Sequence, residues 1–205
     1  MQVASIVPSS RVLIQRVSGK FDFSKPRVIV EFGPGEGCHT REIIKRMHPD
    51  SRLLLFELDP ELANHLRIQF AHDERIFVIN TDAANLAREL NSRGFEHCDY
   101  VVSGIPFSTM PVQKKRELLR CIFDSLAPTS SAAFIIYQVT NELRAHGAKI
   151  FPRIDSEYCL QNIPPMFVTV FFKQALNGHS GNGNGSNGNG NGHGHGSNGN
   201  GNGKH

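Results

Sequence analysis

The chain has 205 residues, a formal net charge of +3, 19 glycines, four cysteines and no tryptophan. Twelve of the glycines fall in the last 29 residues, a stretch of Gly, Asn, His, Ser and one Lys with no apolar side chain to offset chain entropy. No apolar run reaches the roughly 18 residues of a membrane-spanning helix, residues 1–11 lack the pattern of a signal peptide, and Cys38, Cys98, Cys121 and Cys159 are too scattered for a zinc ribbon or a disulfide framework. The expected division is one globular domain over residues 1–175 and a disordered Gly/Asn/His-rich tail over residues 176–205. Charge this balanced does not by itself call for nucleic acid, and scattered thiols suit a reducing, cytoplasmic compartment.

In chain order, Pro8-Ser9-Ser10 predicts the cap of a short amphipathic helix over residues 11–17. Strands are expected at 27–32 (RVIVEF), 52–58 (RLLLFEL), 75–80 (RIFVIN), 99–103 (DYVVS) and 132–139 (AAFIIYQV). Helices fall between them: 40–47 with Thr40 as N-cap, 59–70 with Asp59 as cap and Pro60 at the first helical position, 83–93, and 111–126. Two late strands, 158–163 and 166–173, leave no room for a helix between them. Alternating strands and helices with near-continuously apolar strands predict an α/β fold, a mostly parallel sheet with helices on both faces. The late pair adds an antiparallel edge.

The chemistry starts at Glu31-Phe32-Gly33-Pro34-Gly35-Glu36-Gly37, where the first strand ends. Glycines at alternate positions permit a tight turn and close backbone approach to a ligand, at the strand edge where open α/β sheets bind ligands. The third glycine comes one residue too early for the dinucleotide fingerprint G-x-G-x-x-G. Glu57, 20 residues past Gly37, is placed to accept both hydroxyls of a ribose. After the third strand, Asp82 can accept from an adenine amino group or cap the next helix, and the Ala83 amide can reach a ring nitrogen.

Together these residues resemble class I S-adenosylmethionine-dependent methyltransferases. The resemblance spans residues 5–173 and implies a Rossmann-like seven-stranded sheet with an antiparallel last strand. It also implies S-adenosyl-L-methionine as cofactor, lined by Glu31, Gly33, Gly35, Gly37, Glu57, Asp82 and Ala83. At the end of the fourth strand, Ser103-Gly104-Ile105-Pro106-Phe107 is similar to the Asn-x-Pro-Phe/Tyr motif of adenine N6-methyltransferases, including the ribosomal RNA dimethylases. Gly104 stands where those enzymes keep the Asn that anchors the target amine.

Ser-Gly-Ile-Pro at 103–106, Val7-Pro8-Ser9-Ser10, and Asn162-Ile163-Pro164-Pro165-Met166-Phe167-Val168 are closer to bacterial phospholipid N-methyltransferases. That resemblance implies a lipid amine as substrate, phosphatidylethanolamine or ornithine lipid. It implies a peripheral position on the inner face of the cytoplasmic membrane and no nucleic-acid partner. Relatives carry an amphipathic membrane-docking segment ahead of Pro-Ser-Ser, where seven residues precede Pro8 here.

The expected catalytic set is Ser103, Gly104, Pro106 and Tyr137, with Ile105 and Phe107 against the substrate. Glu142 and His146 are candidate proton acceptors. Lys114-Lys115-Arg116 is read as a solvated helix face or an attraction for anionic headgroups. No metal site is expected; His193-Gly194-His195 in the tail is the nearest approach to one. An RNA adenine methyltransferase and a non-catalytic S-adenosylmethionine-binding module are the alternatives.

Overall fold

The computed structural model describes residues 9–175. Val7 and Pro8 of the N-terminal motif, and the Gly/Asn/His-rich tail with its His193-Gly194-His195, lie outside the described residues.

Helix α1 (Arg11–Ser18) starts where the Ser10 side chain accepts the Leu13 N–H at 3.2 Å. Strand β1 (Val28–Phe32) leads into α2 (Cys38–Arg46), β2 (Arg52–Glu57) into α3 (Pro60–Gln69), and β3 (Ile76–Asn80) into a 3-10 turn and α4 (Leu86–Asn91). Strand β4 (Tyr100–Ser103), α5 (Val112–Ser125), β5 (Ala133–Gln138), α6 (Glu142–Gly147), β6 (Arg153–Cys159) and β7 (Met166–Phe172) complete the order. Asp59 caps α3 by accepting from Glu61 and Leu62 N–H, with Pro60 preset at the first helical position.

The seven strands form one sheet in the order β3-β2-β1-β4-β5-β7-β6. The first five are parallel, and β7 runs antiparallel to both β5 and β6. The strand order reverses between the parallel neighbours β1 and β4, and their carboxyl ends open the crevice where such sheets bind ligands.

Strand residues alternate between two apolar layers, because successive side chains point to opposite faces. Leu53 and Leu55 join Leu13, Ile43, Leu66 and Phe70 beneath α1, α2 and α3. Leu54 and Phe56 join Leu86, Leu118, Leu119, Ile122 and Phe134 beneath α4, α5 and α6. Each fully buried side chain of this size contributes about 1.5–3 kcal/mol. At the β5–β7 end, the Phe134 ring stacks on Phe171 at 5.5 Å and Phe151 packs against Phe171 at 5.3 Å, which covers the antiparallel addition with aromatic surface.

Several expected boundaries move. Helix α2 begins at Cys38 behind Gly37, so Thr40 lies inside the first turn rather than capping it. The stretch expected as one helix over 83–93 is a 3-10 turn at Ala83–Asn85 followed by α4, because Asp82 caps the turn first. Strand β6 runs over Arg153–Cys159 rather than 158–163. Its alternation is mostly polar because it is the sheet's edge strand. Its later half, 160–165, is the turn into β7. The short α6 was not expected. Lys115 is buried rather than solvated: its ammonium pairs with Glu142 and ties α5 to α6.

Candidate active site

At the end of β1 the chain takes up positive φ three times, at Gly33 (65°), Gly35 (56°) and Gly37 (78°). A side chain is strained in that region. At Gly37 a Cβ would also meet the Phe70 ring at 3.3 Å, where α3 crosses the loop. The Gly33 N–H donates to the Phe56 carbonyl at 2.9 Å and that of Gly37 to Pro34 at 2.9 Å. The turn is therefore pinned to β2 on one side and to itself on the other.

Two carboxylates flank it. Glu31, within β1, is 1% exposed and accepts a 2.7 Å bond from the Thr40 hydroxyl. Burial, with the nearby charge of Glu57 in the same sense, raises its pKa to about 7 despite that bond. Glu57, at the end of β2, accepts the Gly35 N–H at 3.3 Å and the Asp59 N–H at 3.0 Å. It thus ties the glycine loop to the start of α3. Asn80 donates to the Glu57 and Leu58 carbonyls, which holds the ends of β2 and β3 together. Asp82 accepts the Ala84 N–H at 2.9 Å as a cap. Ala83 is buried behind it.

Opposite the glycine loop, β4 ends in Ser103-Gly104. The Gly104 N–H donates to the Phe32 carbonyl at 3.0 Å, which sets the two loops side by side. A Cβ on Gly104 would stand 2.6 Å from the Tyr137 hydroxyl and 3.3 Å from the Gly33 carbonyl oxygen. The phenol of β5 thus occupies the space that a side chain at position 104 would need. Burial pushes the Tyr137 phenol far above its ordinary range, so it keeps its proton.

The Tyr137 ring is held by His39, which stacks on it at 4.3 Å and 23°. His39 is 4% exposed and its Nε2 lies 3.0 Å from Ser9 Oγ. Burial lowers its pKa to about 4, so the imidazole is neutral. His39 was missed in the sequence; the usable signal is its place in the first turn after the glycine loop, which aims it at the carboxyl edge.

Three expected roles change. Phe107 is 1% exposed and packs edge-on against Phe134 at 6.0 Å, so its ring fills the core instead of facing a substrate. Ser103 is fully buried and accepts the Ile105 N–H at 3.2 Å, so its hydroxyl shapes its own loop. Glu142 is paired with Lys115, and with His146 4.0 Å from it, it braces α6 against α5. Ile105 closes over Gly33, and its carbonyl accepts from the Gln138 amide at 3.0 Å. Pro106 follows, at the entry to a 3-10 turn over Phe107–Thr109.

The arrangement fits a ligand with a cationic group. A buried carboxyl with one hydroxyl partner is improved by a cation, and the open glycine turn leaves backbone free for close approach. Comparison with known proteins agrees. Residues 9–142 match the family model described as ribosomal RNA adenine dimethylase. An ornithine lipid N-methyltransferase from Singulisphaera acidiphila is 37% identical over 129 residues, 63% of this chain and 67% of the relative. The ribosomal RNA small subunit methyltransferase A of Mycoplasma mycoides is 27% identical over 109 residues, and the chain spans only 40% of its length. Among solved structures, the N-methyltransferase NodS from Bradyrhizobium japonicum bound to S-adenosyl-L-homocysteine superposes with a TM-score of 0.60 at 12% identity, covering 80% of this chain and 85% of that one. Sheet order and family match lead to one assignment: the chain belongs to the ribosomal RNA adenine dimethylase family and is a class I S-adenosylmethionine-dependent methyltransferase.

Proposed function

We propose that this enzyme methylates the amine of a lipid headgroup, phosphatidylethanolamine or ornithine lipid, at a membrane surface on the cytoplasmic side. The observation that carries the reading is the Tyr137 hydroxyl in the space that a side chain at Gly104 would need. The Asn anchor expected of adenine methylation has no room there. The 37% identity to an ornithine lipid N-methyltransferase supports the same direction. No helix among the described residues is long and apolar enough to cross a membrane.

In this reading Gly33, Gly35, Gly37 and Ala83 give the cofactor backbone contacts. Glu31 pairs with its amino group, Glu57 with its ribose and Asp82 with its adenine. S-adenosylmethionine supplies a methyl group on a sulfonium, open to in-line displacement. The chain's own task is to present a neutral amine. The lipid ammonium first gives a proton to water. The lone pair so exposed would take the methyl group that a cofactor held there supplies, with the electrons of the broken S–C bond left on sulfur. The Gly104 carbonyl and the Tyr137 oxygen accept from the amine N–H groups and aim the lone pair. Ile105 and Pro106 form the wall behind it, and Ser103 holds that wall in shape. Alignment of this kind contributes up to about 7 kcal/mol.

The family match favours a second reading, methylation of RNA adenine. One experiment separates them. The protein is incubated with methyl-labelled S-adenosylmethionine, liposomes containing either lipid, and total RNA. Label in lipid is expected. Label confined to RNA overturns the proposal, and cofactor binding with no label in either reduces the chain to a binding module.

A further inference from the structure

The turn between β6 and β7 is built inside out. Its one buried polar residue faces the protein: the Asn162 side chain accepts the Ser10 N–H at 2.9 Å and donates to the Pro164 carbonyl at 2.8 Å, while Gln161, on the surface, accepts from the Arg16 guanidinium at 3.2 Å. Its apolar residues face outward, Leu160 at 68% and Ile163 at 85% exposure. An ordinary surface turn does the reverse, and clustered exposed apolar side chains mark a contact site.

The turn's place is set by the sheet register. Tyr158 of β6 lies level with Phe167 of β7, which lies level with Gln138 at the carboxyl end of β5. The turn therefore rises from the same edge as Tyr137. Val139, just past β5, and Val12, in the first turn of α1, are also exposed beside it. The bonds from Ser10 and Arg16 keep α1 against the turn. The charge around this corner is positive: Arg11 is exposed, and Arg16 and Lys20 share the single carboxylate of Glu157 at 3.9 and 3.0 Å. Clustered apolar tips flanked by cations of α1 and its end suit the headgroup layer of an anionic bilayer better than a folded partner, which would need a matching groove.

We propose that the β6–β7 turn, with Leu160 and Ile163 at its tip and α1 at its flank, is the surface that seats the enzyme on an anionic bilayer. The inference rests on the lipid-amine reading, because a lipid whose acyl chains stay in the membrane can reach Tyr137 only if this edge faces the bilayer.

The test is flotation of the full chain with vesicles of phosphatidylcholine and phosphatidylglycerol, without cofactor and without any methylatable amine. The wild type is expected to float, and added salt to weaken it. The double variant Leu160→Asp/Ile163→Asp is expected to lose at least about tenfold in partitioning. Ile68→Asp, a residue 71% exposed near the C-terminal end of α3, is the control and is expected to float as the wild type does. Circular dichroism of the double variant must show the wild-type melting curve, since both side chains are in solvent.

Equal flotation of the double variant overturns the proposal. So does a wild type that stays in the pellet, or a chromatographic size showing that the tip instead closes a dimer which the variant breaks. Methylation is read separately. Flotation through this turn with no label in any lipid would leave the surface standing and sink the lipid-amine reading. Label in lipid with flotation indifferent to the turn would do the opposite.

Discussion

The carboxyl edge of the sheet has two halves, and each uses glycine for a different physical reason. On the β1–β2–β3 side, Gly33, Gly35 and Gly37 are needed for their backbone conformation, all at positive φ. On the β4–β5 side, Gly104 is needed for space, because the Tyr137 hydroxyl stands where its Cβ would be. The first kind belongs to a local turn and shows as spacing along the chain. The second belongs to a pair of residues on different strands. In the function proposed above, the first half holds the cofactor and the second receives the amine.

The harshest test of that division is Gly104→Asn. The new side chain must displace the Tyr137 ring or push against the Gly33 carbonyl, and a misplacement near 1 Å costs about a hundredfold in rate. A loss of at least that size in kcat/KM on lipid is expected, with cofactor affinity changed far less. A titration showing cofactor binding lost in parallel would mean the two halves do not act separately. Adding Tyr137→Phe to Gly104→Asn removes the hydroxyl and should relieve the clash without restoring lipid turnover.

On the other side, Glu57→Ala removes the acceptor that ties Gly35 to Asp59. A hydrogen bond to a charged group is worth about 1.5–3 kcal/mol. Cofactor binding measured by calorimetry should therefore weaken by roughly ten- to a hundredfold. Unchanged affinity would remove Glu57 from the ribose and leave it only as a loop brace.

Glu31 makes the cofactor half sensitive to pH. Its carboxyl is held up at about 7 by burial, so the folded protein without cofactor keeps it neutral where an unfolded chain would ionise it. The sign follows: between its ordinary pKa near 4.5 and about 7, rising pH costs stability through this group, and above about 7 the cost is constant. A bound amine cation favours the ionised form, so cofactor affinity should fall by up to about tenfold per pH unit below 7. Calorimetry in buffers of different ionisation heat should register proton release. Glu31→Gln should flatten both dependences.

The contrast also explains what could be read from the chain. The glycine spacing, the acids near the ends of β1 and β2, and the strand–helix alternation are legible in the chain, because each depends on neighbours within a few residues. The seven-stranded, mostly parallel sheet was expected through family resemblance, and the antiparallel end showed in Pro164-Pro165 between two apolar runs; the order of the strands came only with the structure. Phe107 misled because an aromatic side chain after a strand looks the same whether it lines a pocket or packs on Phe134. Lys115 misled because its neighbours Lys114 and Arg116 are exposed; its partner, Glu142, lies 27 residues on. Strand β6 began earlier than expected since an edge strand alternates polar and apolar residues weakly. Gly104 was conspicuous as a departure, but the reason for it, a phenol from β5, needs the sheet register to be seen.

His39 joins the halves, and its expected effect falls on stability in acid, with the smallest effect on turnover at neutral pH. It belongs to the helix after the glycine loop, yet it stacks on the tyrosine of β5. Burial keeps it neutral down to a pKa of about 4, whereas an unfolded chain protonates it near 6.5. Its contribution is thus complete above 6.5 and is lost as pH falls toward 4, amounting to about 3 kcal/mol over that window. His39→Phe keeps a flat ring against Tyr137 and cannot take up a proton. Thermal melts across pH 4 to 7 should show the variant losing less stability than the wild type as acid is added, with lipid methylation at neutral pH close to normal. If His39→Phe instead lowers kcat at neutral pH without changing the cofactor titration, the imidazole holds the phenol by more than its shape. The Ser9 contact at Nε2 is then the bond to remove next.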